Sequence, residues 1–167
     1  MSDHRWSLPS NRGMELLECE VVGNADRDMV CRFTIVGEYW SRGQKGFRDV
    51  VEDFRVVLPQ VIVAREALGA LAQAFADWMK EERSFSCVLQ SADRAGQAIE
   101  VSLGEDPRFV RSTHKAVFTF SYCSGLVMAS RFSFVVDQSC VRTAMEGLSG
   151  CVIDASRGWQ RNRGQPR

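Results

Sequence analysis

A chain of 167 residues, 45% hydrophobic and 25% charged, suits one globular domain, since two would each be small for an independent core. That composition excludes disorder throughout, and 21 basic against 21 acidic residues exclude a protein that holds nucleic acid by bulk positive charge. The zero total hides an uneven distribution: Ala155 to Arg167 carries +4, the first twelve residues +1, and the body between them −5. An acidic body steers basic partners.

Residues 1–12 are polar and contain Pro9 and Asn11, which reads as a flexible leader before a domain spanning 13–153. Met14 to Val22 alternates like a strand, with Leu17, Cys19 and Val21 on the face that packs inward. The turn cluster at 23–26 folds a second strand, Asp28 to Tyr39, back on the first; Met29, Cys31, Phe33 and Ile35 share one side of it. A Gly-containing loop (40–46) leads into the β-branched run 47–63, which Pro59 should break, bulge or confine to a sheet edge. From Ala64 to Glu82, Leu68, Leu71, Phe75, Trp78 and Met79 recur at helical spacing.

The next fifty residues predict a meander of strands over 85–90, 97–103, 116–123 and 126–136. Asp137, with Ser139 as the alternative, is placed to cap a short amphipathic helix carrying Val141, Ala144, Met145 and Leu148, which should stop near Gly147–Gly150. Residues 154–167 read as a basic polar tail, and no internal repeat is visible. The order of elements predicts an α+β fold, a mainly antiparallel sheet with two amphipathic helices packed on one face.

Six cysteines lie at least ten residues apart, with no Cys-x-x-Cys pair and only His4 and His114 to complete a metal set, so reduced buried thiols are expected rather than zinc. The start MSDHRWSLPSNRG holds no apolar stretch of signal-peptide length, and no segment approaches the roughly 20 apolar residues of a membrane span. A cytoplasmic protein without membrane or nucleic-acid partners follows as the expectation.

Chemistry-bearing motifs are scarce. No Gly-x-Ser-x-Gly, Walker-type or Gly-x-Gly-x-x-Gly pattern occurs. His114 has no acid nearby in sequence to orient it as a base, and an ordinary loop-edge histidine is the plainer reading. The acids are better grouped: Glu18 and Glu20 share a strand face about 7 Å apart, and Asp49, Glu52 and Asp53 form a second cluster. Such groups are usually solvated; the functional alternative is a docking surface for a basic partner, and these five are the candidate partner-binding residues. No catalytic residue, metal ligand or cofactor is assigned. Tyr39, Trp40 and Phe47 flank the loop and could anchor a partner or close the core.

The stretch Leu68 to Leu148 joins a Trp-bearing helix, a meander, a strand ending Phe134-Val135-Val136-Asp137 and a helix opening Gln138-Ser139-Cys140-Val141. In that order of elements the chain resembles the WapI-type immunity proteins of bacterial polymorphic toxin systems, over roughly half its length. It departs from them in the N-terminal hairpin and at Val141, where a larger aliphatic residue is expected. The resemblance implies a cytoplasmic protein that binds and neutralises a cognate toxin domain without turnover, with Asp137 as a structural cap. The alternatives are a scaffold or self-associating protein, or a small ligand-binding domain or enzyme.

Overall fold

The computed structural model describes residues 4–25, 28–41, 50–90, 97–105, 114–124 and 128–162. Eight strands and two helices are seen there: β1 (Arg5–Pro9), β2 (Leu16–Ala25), β3 (Asp28–Ser41), β4 (Val50–Ala64), α1 (Arg65–Glu81), β5 (Phe85–Gln90), β6 (Gln97–Gly104), β7 (Lys115–Ser124), β8 (Met128–Asp137) and α2 (Gln138–Asn162). The α+β class and the antiparallel pairing are as expected. The strands divide, however, into two four-stranded sheets, β1-β2-β3-β4 and β5-β6-β7-β8. Among the described elements the order ββββα thus runs twice, a repetition of topology that the residues themselves do not advertise.

Period-2 alternation sends one face of each sheet inward. Leu17, Cys19, Met29, Cys31, Phe33 and Ile35 are buried from the first sheet, and Ile99, Val101, Leu103, Phe118, Phe120 and Val136 from the second. The two faces meet at Phe33–Phe120 and Phe54–Phe132, with ring centroids 5.5 and 5.8 Å apart. Leu68, Leu71, Phe75 and Trp78 of α1 and Val141, Ala144 and Leu148 of α2 complete one continuous core. The helices pack on each other, and each lies on the first strand of the opposite half: α2 on β1, and α1 on β5. This exchange joins the two halves in one core.

β1 corrects the reading of residues 1–12 as a leader. Arg5 to Pro9 pairs with Leu16 to Glu20, and Trp6 and Leu8 are buried. The alternation is too short to stand out in sequence; pairing with β2 on one side and burial under α2 supply the stability. At the other end α2 continues through Asn162, beyond the 153 boundary and past Gly147 and Gly150. Gly147 is kept in the helix because α2 closes onto β1 there: a β-carbon at this position would stand 3.0 Å from Trp6 Cβ and 3.2 Å from Trp6 Cα. Pro59 behaves as expected, sitting on the sheet's outermost strand beside a register shift between β3 and β4.

Asp137 caps α2. One carboxylate oxygen accepts hydrogen bonds from the Ser139 and Cys140 backbone N–H groups, at 2.9 and 3.1 Å, and from the Ser139 hydroxyl at 2.6 Å. The Ser139 hydroxyl first, then the backbone donors, hold the Asp137 carboxyl below its ordinary range. A depressed carboxylate stabilises the fold above the unfolded value, ~4, and that contribution disappears as pH falls through the folded value. Asp137→Ala should therefore lower stability by about 1 kcal/mol at pH 7. In urea titrations the gap to wild type should narrow as pH falls below the ordinary carboxylate range, and a pH-independent gap would refute the cap.

Candidate functional site

The structure brings Glu18 and Glu20 to the outer face of the first sheet, but not as free acids. Register places Arg5, Glu20 and Arg32 in one row across β1, β2 and β3. Arg32 reaches Glu20 at 2.9 Å, and Arg5 lies 3.6 Å from Glu18 and 3.8 Å from Glu20. Two arginines thus neutralise two glutamates, and this part of the surface is a charge-balanced ladder. Exposed pairs of this kind contribute roughly 0–1 kcal/mol each. Asp53 is exposed on β4. Glu52 lies in β4 with its Cα opposite Tyr39, and its side chain, like those of Tyr39 and Trp40, falls outside the described part; Asp49 and Phe47 lie outside the described residues altogether.

Beside the ladder the same sheet exposes apolar side chains. Val61 and Val63 are buried while Ile62, between them, is 44% exposed; Val57 and Val22 are each 42% exposed. Val57 faces Thr34 and Ile62 faces Val30 across the β3–β4 pairing. The outer surface therefore combines exposed aliphatic groups with an Arg–Glu–Arg row. That combination suits a protein interface, where apolar contact supplies affinity and paired charges supply orientation.

A second polar cluster joins distant parts of the chain. His114 Nδ1 lies 2.5 Å from Glu82 Oε1, and Gln138 Nε2 donates to the same Glu82 oxygen at 3.3 Å. Glu82 terminates α1 in the left-handed conformation, φ 52°, with its N–H bonded to Trp78 O; His114 has φ 75°. Two non-glycine residues held at positive φ represent local strain maintained by the surrounding structure. The acid that sequence reasoning could not find for His114 is Glu82, 32 residues earlier. No local signal could have revealed it, because only packing of the end of α1 against the start of β7 and α2 creates the pair. With Nδ1–H donated to Glu82, the arrangement orients the ring, yet no nucleophile joins the cluster among the described residues.

The cysteines offer no reactive thiol in the core. Cys19, Cys31, Cys140 and Cys151 are buried, and none of the six is in a disulfide. Burial above all, then the neighbouring Cys31 and Cys151, push the Cys19 thiol well above its ordinary range. A thiol so shifted stays protonated and unreactive. Among the described residues no group of three or more His, Cys, Asp or Glu side chains is placed to hold a metal ion, and no helix is long and apolar enough to cross a membrane. Compared with family models, curated proteins and solved structures, the chain matches none.

Proposed function

We propose that the protein is a cytoplasmic immunity protein that binds and neutralises a cognate toxin domain without turnover, docking through the outer face of β1–β4. The observation that carries the docking reading is the exposure of Val22, Val57 and Ile62 beside the Arg5–Glu20–Arg32 row. The assignment to toxin neutralisation rests on the order of elements from α1 to α2, which resembles that of the WapI-type immunity family. Because Glu18 and Glu20 are already paired, apolar contact rather than acidic steering dominates the affinity; Asp53 is the candidate acid that remains exposed with no ion pair among the described residues.

Co-expression with a toxin domain encoded beside its gene tests the function, with growth rescue and a purified complex as the expected results. Failure to bind or inhibit that domain would remove the reading. Within the complex, Val57→Asp combined with Ile62→Asp should weaken binding at least about tenfold, the loss of roughly 1.4 kcal/mol. Glu20→Lys should change the association rate by only a few fold and stability by about 1 kcal/mol or less. A large effect of Glu20→Lys with none from the valine–isoleucine pair would reverse this ranking.

Self-association is the second reading, favoured by one observation. β4 is fifteen residues long and pairs with β3 alone among the described strands, so its other edge is a template for a further strand. Sedimentation across a concentration series decides it: a dimer lost on Val57→Pro supports edge pairing, and a monomer at high concentration excludes it.

A further inference from the structure

We infer that the recess between the β1–β2 loop and the outer face of β7–β8 binds a small carboxylate bearing an apolar group. The recess lies on the second sheet, away from the proposed docking face, and encloses about 400 Å³, at the small end of ligand sites. Its wall is a fixed loop. Ser10 N–H donates to Glu15 O, Gly13 N–H to Ser10 O, and Asn11 N–H crosses to Val135 O on β8, at 2.8, 3.0 and 2.9 Å. The Ser10 hydroxyl accepts from Glu15 N–H at 3.3 Å, and Gly13 supplies the φ of +73° that the turn requires. The loop therefore presents Arg12 from a set backbone, with little left to order on binding.

The floor is the cross-strand pair Val117–Val135, both on the outward side of their strands. Lys115 stands at one end of it and Ser133 at the other, one strand position away from the valines on that face. Neither Arg12 nor Lys115 has an acidic partner among the described residues. Asp137, opposite Lys115 in register, is committed to the α2 cap. Glu15 also lines the recess, leaving two cations against one acid. A net single positive charge over an apolar floor suits a monoanion with a hydrocarbon body. It disfavours a phosphate dianion, which Glu15 repels and the valines cannot solvate. The guanidinium fork matches a carboxylate in two parallel hydrogen bonds, and the ammonium adds a point charge.

The test is titration of the full chain with 4-methylpentanoate, its neutral amide 4-methylpentanamide, and inorganic phosphate, followed by backbone amide shifts. The carboxylate should give saturable shifts at residues 11–15, 117 and 135. The amide should bind about tenfold more weakly, and Arg12→Gln or Lys115→Gln should each weaken the carboxylate by a similar factor. Both side chains are exposed, so the variants should keep the wild-type circular dichroism. Absence of saturable shifts, equal binding of the amide, binding unchanged in both variants, or phosphate binding as tightly as the carboxylate would each overturn the inference. Loss of toxin binding in the docking-face variants leaves this titration unchanged, so the two readings fail separately.

Discussion

Trp6→Ala is expected to lower stability by about 3–5 kcal/mol, a large share of the roughly 5–15 kcal/mol that holds a domain together. Trp6 is 2% exposed, faces Cys19 across the β1–β2 pairing, and lies beneath the point where α2 passes at Gly147. Truncation would leave a cavity at the seam between the halves, with the β1–β2 ladder on one side and a helix on the other. Among the described residues the indole Nε1 has no hydrogen-bond partner, so Trp6→Phe discards an unpaired donor whose burial costs about 1–3 kcal/mol. Most of the ring's apolar area survives in that variant. It should therefore be much milder than Trp6→Ala, near 1 kcal/mol. Urea midpoints at unchanged slope measure both. A loss below about 1 kcal/mol for the alanine variant would mean that β1 stands outside the cooperative core.

Gly147→Val should cost at least about 2 kcal/mol, by overpacking against β1. Filling a helical glycine ordinarily gains about 0.5–1 kcal/mol. At Gly147 the new β-carbon meets Trp6 Cβ at 3.0 Å and Cα at 3.2 Å, and one of those contacts is backbone that cannot swing away. Repulsion then outweighs propensity, and the branched valine adds two more methyl groups to the same gap. Gly69 in α1 is the control, because nothing lies within 4 Å of its built β-carbon. Gly69→Ala should raise the thermal midpoint while Gly147→Val lowers it. Equal effects at the two sites would show that α2 does not close on β1.

The candidate docking surface illustrates how far the residues alone could be read. Glu18 and Glu20 were placeable on one strand face, and the structure puts them there. Their partner Arg5 lies in a segment that reads in sequence as a leader, so the residues alone suggest an acidic surface where the fold builds a balanced ladder. Likewise Asp137 was legible as a cap, because an Asp between a strand pattern and a helix pattern has a local geometric role. Glu82 and His114 have no such local signature. Each is unremarkable in its own segment, and their contact depends on where three element ends meet.

Local periodicity in this chain determined the α+β class, α1, the start of α2, the inward face of β2, the apolar side of β3, the meander of β5 to β8, and the disturbance at Pro59. These follow from alternation along a strand and the 3.6-residue turn of a helix, which are properties of neighbouring residues. Tertiary structure alone decided that the strands form two sheets, that Arg5–Pro9 is a strand, and that each helix crosses to the other half. Those choices depend on partners far apart in sequence: β1 is too short to be stable without β2 and α2, and the divided sheets become favourable only when Phe33, Phe120 and the two helices fill one core.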